Sequence, residues 1–413
     1  MNGRSLDAYE EVAGKVAVSQ LRQLANSLAG ASVVHVNSTK AGGGVAEILH
    51  WLIPLMNDLG IHASWEVIDG HEDYFNVTKA FHNGLQGNRV TLTPSMIRTY
   101  EETVASNADR LRPILEKADF VFIHDPQPAH LLDLMPQRKG KWIWRCHVDV
   151  SHPYRKVWNY LKTKVDSFDA SIFSMPIFAQ SLPHPQFIIA PSIDPLSEKN
   201  RELAQAEVDR TLKEFAISQD LPILTQISRF DRFKDPVGVI EAFNLLDGAV
   251  EAQLVLAGGG ATDDPEGDAV YQEVMDFATG NDKIFVLQLP SDAHRTINAL
   301  QRASTIVIQK SLQEGFGLTV TEAMWKSKPV IGGNVGGIRL QVHNHYTGYT
   351  VDSPEGAALR IRELLRQPER MEKIGATARQ FVRDNFLLTR HLREYLTLML
   401  GFKVGLENTL IRV

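Results

Sequence analysis

Residues 305–332, TIVIQKSLQEGFGLTVTEAMWKSKPVIG, contain a complete strand–turn–helix–strand unit. The apolar runs Thr305–Gln309 and Pro329–Ile331 predict buried strands, and Thr319–Lys326 predicts the helix between them. Because consecutive parallel strands need a crossover connection, this unit indicates a parallel sheet covered by helices.

The same alternation runs from about residue 32 to about residue 385. In the first half, strands are predicted at Ser32–Asn37, Ala63–Ile68, Phe120–His124, Trp142–His147, Ala170–Phe173 and Phe187–Ala190. The second half adds Pro222–Ser228, Gln253–Ala257 and Ile284–Leu287 before the quoted unit. We therefore predict an α/β protein with two parallel sheets. Two such sheets facing each other would enclose a cleft lined by strand-to-helix loops, where ligands of open parallel sheets bind.

A polar, proline-containing segment, Pro191–Asn200, marks the predicted boundary between the halves. We predict an N-terminal domain over residues 1–195 and a C-terminal domain over residues 196–385. For residues 386–413 we predict a final helix and a tail that pack on the N-terminal domain.

Composition excludes several classes of protein. The 413 residues are 44% hydrophobic and 22% charged with a net charge of −6, which predicts globular domains and gives no basic footprint for nucleic acid. The single cysteine cannot form an internal disulfide or a cysteine-rich zinc site. No apolar run reaches the roughly 18–20 residues of a membrane-spanning helix, and the N-terminus lacks the apolar core of a signal peptide. We expect a cytoplasmic protein without membrane or nucleic-acid partners.

Gly42-Gly43-Gly44 lies between a predicted strand and the helix pattern of Val45–Leu59. Glycines there allow a ligand to approach the backbone closely, and the helix N-terminus offers free N–H donors. The spacing is not the dinucleotide-binding fingerprint, because its third glycine would fall at Glu47. A simple tight turn is the alternative interpretation.

Cations follow the strand Pro222–Ser228 in the segment SRFDRFKD, residues 228–235. Arg229 and Lys234 suit a diphosphate, which arginine grips with two hydrogen bonds and lysine meets as a point charge. A solvated surface loop explains this segment alone equally well.

Two carboxylates, Glu314 and Glu322, flank a Gly-Phe-Gly turn in the quoted unit. The turn exposes backbone N–H groups at the start of a helix, where an anion or a sugar hydroxyl could bind. Glu322 alone could be an ordinary surface residue of a helix, but the whole pattern favours a binding site.

Histidine and aspartate follow two strands of the first half, in His124-Asp125 and in the segment that contains His147. Their side chains could bind sugar hydroxyls at the edge of the sheet, whereas a purely structural role is the plain alternative for a single histidine. No Asp-x-Asp clamp, zinc-peptidase motif, serine-hydrolase motif or Walker loop is present, and we predict no metal site.

In combination, these motifs resemble a known family. E-x7-E with Gly-Phe-Gly, preceded by Arg229 and Lys234, resembles the retaining GT-B glycosyltransferases that include sucrose and glycogen synthases (family 4). To about residue 400 the chain is similar to the trehalose glycosyltransferring synthases, on the segments VHVNSTKAGGGVAEILH, YFNVTKAFHNGLQGN, HDPQP, WRCHVD, PSIDPLSEKN and EGFGLTVTEAMWKSKPVIG.

The resemblance implies the GT-B fold, with two facing Rossmann-like domains and a C-terminal helix that crosses back to the N-terminal domain. It implies reversible transfer of glucose, with retention, from a nucleoside-diphosphate glucose (NDP-glucose) to free glucose, which gives α,α-trehalose and NDP. No metal or other cofactor is required in this reaction, and the departing phosphate takes the acceptor's proton. Whether the protein forms a homodimer stays open.

The resemblance also implies residue roles. The catalytic group comprises His147 near the reacting carbon, Arg229 and Lys234 on the diphosphate, and Glu314 on the donor sugar. The donor-binding residues are Gly43, Gly44, Gly315, Phe316, Gly317, Leu318 and Glu322, the last on the ribose, and the acceptor-binding residues are Asp125 and Asn37.

One departure from the family pattern concerns the basic loop. Lys234-Asp235 stands where such families often have Lys-Gly, so a carboxylate lies beside the phosphate-binding lysine and could weaken or position it. Residues 401–413 match nothing in the family pattern.

Two other functions remain open. One is a related retaining transferase that uses another acceptor, such as a sugar phosphate or glycerate. The other is a non-catalytic sensor of sugar nucleotides. The sequence does not select the nucleotide base among ADP, UDP and GDP.

Overall fold

The computed structural model describes residues 4–40, 43–246, 248–259 and 265–405. The chain divides into two compact units, unit 1 (Met1–Pro191 with Leu388–Val413) and unit 2 (Ser192–Leu387). The domain boundaries predicted from the sequence lie after residues 195 and 385. Within the described ranges, no helix combines the length and apolar character needed to cross a membrane.

Unit 1 contains a six-stranded parallel sheet with the order β2-β1-β3-β4-β5-β6. Its strands are β1 (Ser32–Asn37), β2 (His62–Val67), β3 (Phe120–His124), β4 (Lys141–Arg145), β5 (Ala170–Phe173) and β6 (Gln186–Ile188). The α-helices of this unit are Glu10–Ala13, Lys15–Asn26, Gly44–Asp58, Glu72–Leu85, Pro94–Leu115, Arg155–Val165 and Leu388–Lys403.

Unit 2 contains a second six-stranded parallel sheet, with the order β12-β11-β10-β7-β8-β9. Its strands are β7 (Ile223–Ile227), β8 (Gln253–Gly258), β9 (Ile284–Gln288), β10 (Ile306–Gln309), β11 (Val330–Gly333) and β12 (Gly348–Val351). Its α-helices are Gln205–Glu214, Pro236–Asn244, Pro265–Ala278, His294–Ala303, Leu318–Trp325, Ile338–Gln341, Pro354–Leu365 and Pro368–Asn385. Read from β9, the strand order is that of the dinucleotide-binding Rossmann sheet.

The predicted parallel α/β architecture is confirmed. The quoted unit forms β10, the helix Leu318–Trp325 and β11. Strand β12 was not predicted, because its four residues GYTV are too short to show a pattern. The helix Glu72–Leu85 was also missed, since Thr78 and Gly84 interrupt its apolar spacing.

Several predicted element boundaries differ from the observed ones by one or two residues, and in two places a hydrogen bond explains the difference. The strand predicted to reach His147 ends at Arg145, because the His147 N–H donates to the side chain of Asp125 rather than to a neighbouring strand. The final helix begins at Leu388 rather than at 386, because the carbonyl of Phe386 accepts a hydrogen bond from the N–H of Ile193.

The C-terminal helix belongs to unit 1, in agreement with the expected return to the N-terminal domain. The Tyr395 ring packs against the rings of His35 on β1 and Phe122 on β3, and all three side chains are buried. In the first turn of the helix, the Arg390 guanidinium donates to the carbonyls of Ala190 and Pro191, both at 2.9 Å. The helix therefore covers the face of the sheet that carries His35.

Close backbone packing joins the carboxyl ends of β7 and β8. A Cβ atom added to Gly258, the last residue of β8, would lie 1.7 Å from the carbonyl oxygen of Ser228. Since that neighbour is main chain, only a shift of one strand could relieve the clash.

We expect Gly258→Ala to lower the free energy of unfolding by about 1–3 kcal/mol, as overpacking in a rigid core does. Gly356→Ala is the matched control: its added Cβ meets nothing closer than 3.6 Å, within the helix Pro354–Leu365. This second change should be neutral or stabilise by up to about 1 kcal/mol. Urea unfolding of both variants checks the prediction, and a Gly258→Ala protein as stable as the wild type contradicts it.

Candidate functional site

The strand order reverses once in each sheet, and the predicted site residues follow the strands at these reversals. In unit 2 the reversal lies between β7 and β10, which Ser228–Asp235 and Lys310–Gly317 follow. In unit 1 it lies between β1 and β3, and β4 is the next strand along. Ligands of open parallel sheets bind at such reversals, outside the carboxyl ends of the strands.

Unit 2 brings the predicted diphosphate lysine and the predicted sugar-binding carboxylate together. Lys234 Nζ lies 2.7 Å from Glu314 Oε2, and these side chains are 18% and 11% exposed. Two bonds hold the lysine loop: Gln226 Nε2 donates to the Lys234 carbonyl at 2.7 Å, and the Leu312 N–H donates to the Phe233 carbonyl at 2.8 Å. The ion pair therefore joins the two loops at the reversal of the sheet.

Asp235, which follows the lysine of this loop, is held by two other groups. Its backbone has φ +52°, and its carboxylate accepts a hydrogen bond from the N–H of Gly238 at 3.2 Å, which caps the helix Pro236–Asn244. The same carboxylate forms an ion pair with the buried Lys310. Asp235 thus anchors the lysine loop to the end of β10. Lys310 was not among the predicted site residues, because it belongs to no motif of its own.

Three residues of a neighbouring segment, Gly336, Gly337 and Gln341, hold the Gly-Phe-Gly turn in place. Gln341 Nε2 donates to the Phe316 carbonyl at 2.6 Å, and the Gly337 N–H donates to the Gly315 carbonyl at 3.1 Å. A Cβ on Gly336 would lie 1.6 Å from the carbonyl oxygen of Glu314, so only glycine fits there.

The turn leads directly into a helix. Gly317, with φ +85°, is the N-cap residue of the helix Leu318–Trp325 and has no side chain with which to cap it. Its backbone N–H groups are therefore oriented as in known anion-binding turns.

Arg229 and Glu322 differ strongly in environment. The Arg229 side chain is 61% exposed and its guanidinium lies 3.6 Å from Asp231. Glu322 is only 1% exposed and its carboxylate lies 3.9 Å from Lys199 Nζ.

The helix of Glu322 also carries a buried lysine. Lys326 Nζ donates to Asn200 Oδ1 at 3.0 Å, to Gln301 Oε1 at 2.8 Å and to the Glu322 carbonyl at 3.1 Å. Burial lowers the pKa of Lys326 to about 7. The predicted ribose contact of Glu322 stays a prediction.

In unit 1, Asp125 is a junction between β3 and β4. Its backbone has φ +63°, its N–H donates to the Arg145 carbonyl at 2.8 Å, and its Oδ1 accepts the N–H of His147 at 2.6 Å. Trp144 Nε1 donates to the Asp125 carbonyl at 3.0 Å. Burial raises the pKa of Asp125 to about 6. Left-handed backbone at an aspartate is uncommon and concentrates at functional sites.

The loop after Asp125 is held by buried tyrosines. Tyr100 Oη donates to the Pro126 carbonyl at 2.9 Å, and Tyr74 Oη donates to the Gln127 carbonyl at 2.8 Å. The HDPQP segment is therefore a rigid support for Asp125 rather than a loose loop.

His147 is connected to two buried histidines. His124 Nδ1 lies 3.0 Å from His147 Nε2, and His124 Nε2 lies 2.9 Å from Nδ1 of His35. Burial lowers the pKa of His35 to about 3 and holds the pKa values of His124 and His147 well below the usual value. His35 was missed because it sits inside the apolar strand SVVHVN rather than at its end.

The remaining candidates of unit 1 lie after β1. Asn37 is buried, with Nδ2 donating to the Thr39 carbonyl and Oδ1 accepting from Trp65 Nε1, both at 2.8 Å. Gly43, with φ +80°, precedes the helix that begins at Gly44. Gly42 lies outside the described residues. The predicted roles of these residues stay predictions.

Known protein families match both units. The family described as "Trehalose synthase, N-terminal domain" matches residues 35–180, and the family "Glycosyl transferases group 1" matches residues 207–381. A trehalose synthase of Thermococcus litoralis is 43% identical over 405 residues, which cover 97% of this chain and 98% of the relative.

Solved structures share the fold at low sequence identity. Sucrose-phosphate synthase from Thermosynechococcus elongatus aligns with a TM-score of 0.71 at 17% identity, over 91% of this chain and 100% of that chain. An α,α-trehalose-phosphate synthase (UDP-forming) from Burkholderia xenovorans, in complex with glucose-6-phosphate, aligns with a TM-score of 0.72 at 13% identity, over 89% and 100%. The fold is GT-B, built from two Rossmann-like units. With its near full-length identity to a trehalose synthase, this chain is a glycosyltransferase and belongs to the trehalose synthase family.

Proposed function

We propose that the protein transfers glucose from an NDP-glucose to free glucose with retention of configuration, and so forms α,α-trehalose and NDP reversibly. Membership of the trehalose synthase family supports trehalose chemistry. The observation that carries the donor assignment is the 2.7 Å pair of Lys234 and Glu314 at the strand reversal of unit 2.

The Lys234–Glu314 pair suits a ligand with phosphate and hydroxyl groups close together. A phosphate oxygen would replace the carboxylate as the partner of Lys234 and so release Glu314. The released carboxylate would then accept hydrogen bonds from the hydroxyls of the attached sugar. An NDP-glucose carries both kinds of group on neighbouring atoms, so a single molecule would satisfy both side chains.

Two further groups would bind the diphosphate. Arg229 is mostly exposed and only loosely paired with Asp231, so releasing that aspartate costs little. The uncapped helix start at Gly317 and Leu318 supplies backbone N–H donors and a partial positive charge. Cations and oriented N–H groups stabilise the negative charge that develops on a departing diphosphate.

The proposed reaction needs no separate base. The bond between the anomeric carbon and the phosphate oxygen breaks, and both electrons leave with NDP. The acceptor hydroxyl attacks the same face and its proton passes to the departing phosphate oxygen. The acceptor side is assigned to unit 1, where Asp125, ionised above about pH 6, would accept a hydroxyl hydrogen bond beside His147.

The direct test incubates the protein with ADP-, UDP- or GDP-glucose and glucose in the presence of a chelator. We expect trehalose with both anomeric centres α, and NDP-glucose from trehalose plus NDP in the reverse direction. Glucose 6-phosphate and glycerate serve as comparison acceptors. Faster use of either one, or NDP binding without turnover, contradicts the proposal and favours another transferase or a sensor.

We expect Lys234→Ala to lower kcat by about 10²- to 10³-fold, because a partly buried cationic donor to the leaving diphosphate is lost. Arg229→Ala should cost at least about tenfold. Arg232→Ala is the matched control, since this cation of the same loop is 60% exposed and pairs with Glu273. If both Lys234→Ala and Arg229→Ala keep steady-state rates near wild type, the basic loop takes no part in the mechanism.

For Glu314→Gln we expect a loss of donor-sugar use that exceeds any change in NDP affinity. The amide has one acceptor oxygen where the carboxylate has two and a negative charge, whereas Lys234 is unchanged and can still bind phosphate. Calorimetric titration with NDP and initial rates with NDP-glucose separate the two effects. An equal loss in both measurements would contradict the assignment of Glu314 to the sugar.

A further inference from the structure

Three histidines of unit 1 form a hydrogen-bonded row that ends at the candidate site. The row runs from His35 inside β1, through His124 at the end of β3, to His147 after β4. Neighbouring rings have centroids 5.3 Å apart and planes inclined by 28° and 16°, as expected for hydrogen bonds that lie nearly in the ring planes.

Neutral imidazoles in such a row must all donate in the same direction. Each neutral ring has one N–H and one bare nitrogen, so the tautomer of one ring fixes the tautomer of the next. Donation outward from His35 places the proton of His147 on Nδ1. Donation inward places the proton of His147 on Nε2 and leaves His35 with an N–H on Nε2.

The inner end of the row selects between these arrangements. His35 is fully buried between the rings of Phe122 and Tyr395, and among the described residues its Nε2 has no hydrogen-bond partner. Arg145, which lies on β4 opposite His124 and close to Tyr395, is also fully buried. Its Nε and Nη1 likewise lack acceptors within the described part of the chain.

His391, on the C-terminal helix, is also fully buried, and neither of its ring nitrogens has a partner among the described residues. A neutral His391 ring adds one donor and one acceptor to the two unpaired donors of Arg145, so unpaired donors still outnumber acceptors in this region. A bare nitrogen on His35 is therefore favoured over one more unbonded N–H.

We propose that His35 and His124 are positioning residues that fix His147 as its Nδ1–H tautomer. The half-buried His147 then presents a hydrogen-bond donor at the carboxyl edge of the unit 1 sheet, suited to a substrate oxygen. The kinetic consequence rests on the proposed function, in which His147 contacts the sugar near the reacting carbon. The tautomer itself does not depend on that function.

The tautomer is measured on the full-length protein with 15N-labelled histidine, by long-range 1H–15N correlation at neutral pH. The His147 signals are assigned by their loss in His147→Gln. We expect a pyrrole-type shift for Nδ1 and a pyridine-type shift for Nε2. The reverse pattern in the wild type overturns the proposal, whether or not the protein makes trehalose.

A matched pair of variants tests the link to turnover. Asparagine and leucine have similar size, but His35→Asn keeps an N–H near the position of Nδ1, whereas His35→Leu removes it. The apolar surroundings make leucine the more stable of the two in urea unfolding.

We expect the opposite order in activity. His35→Leu should average the two His147 tautomers in the NMR spectrum and lower kcat by about three- to tenfold with KM unchanged. His35→Asn should retain the wild-type tautomer and more of the rate. The proposal fails if the kcat of His35→Leu equals or exceeds that of His35→Asn. It also fails if His35→Leu leaves the 15N shifts of His147 unchanged, because the histidine row would then act only in packing.

Discussion

Parallel strand order is the constraint on which the rest of the molecule depends. In a parallel sheet, the loops that follow the strands all lie at the same edge of the sheet. Where the strand order reverses, a gap lies between two of those loops. Both sheets have one such reversal, between β7 and β10 and between β1 and β3. Residues far apart in the chain, such as Lys234 and Glu314, meet only because these loops start from neighbouring strands.

The loops themselves are held by groups beneath them rather than by their own contacts. In unit 2, Gln226 and Gln341 tie loop carbonyls to the sheet and to a neighbouring helix, and Gly336 lets the backbone approach Glu314 closely. In unit 1, the hydroxyls of Tyr74 and Tyr100 do the same for the segment after Asp125. Fixed loops keep charged groups oriented before a ligand arrives, which is the requirement for electrostatic catalysis.

Periodicity and strand-end position explain what could be predicted from sequence. The alternating strands and helices show in apolar spacing, and a residue directly after a strand, such as His147 or Lys234, must lie at the loop edge of the sheet. Partners that depend on three-dimensional register carry no such signal. His35 is a polar residue within an apolar strand, and only the pairing of β1 with β3 brings it to His124. In the sequence, Lys310 cannot be told from an ordinary cation at the end of a strand, and only the structure shows its ion pair with Asp235.

The Asp235–Lys310 pair limits which residues position 235 can hold. Glycine would adopt the left-handed backbone at position 235 with less strain, yet it would leave the Lys310 ammonium buried without its counter-charge. Breaking one side of a buried ion pair costs about 3–5 kcal/mol, more than the strain of a single left-handed aspartate. The backbone preference and the charge pairing at position 235 therefore oppose each other, and replacing the aspartate alone would lose more at the ion pair than it gains in the backbone.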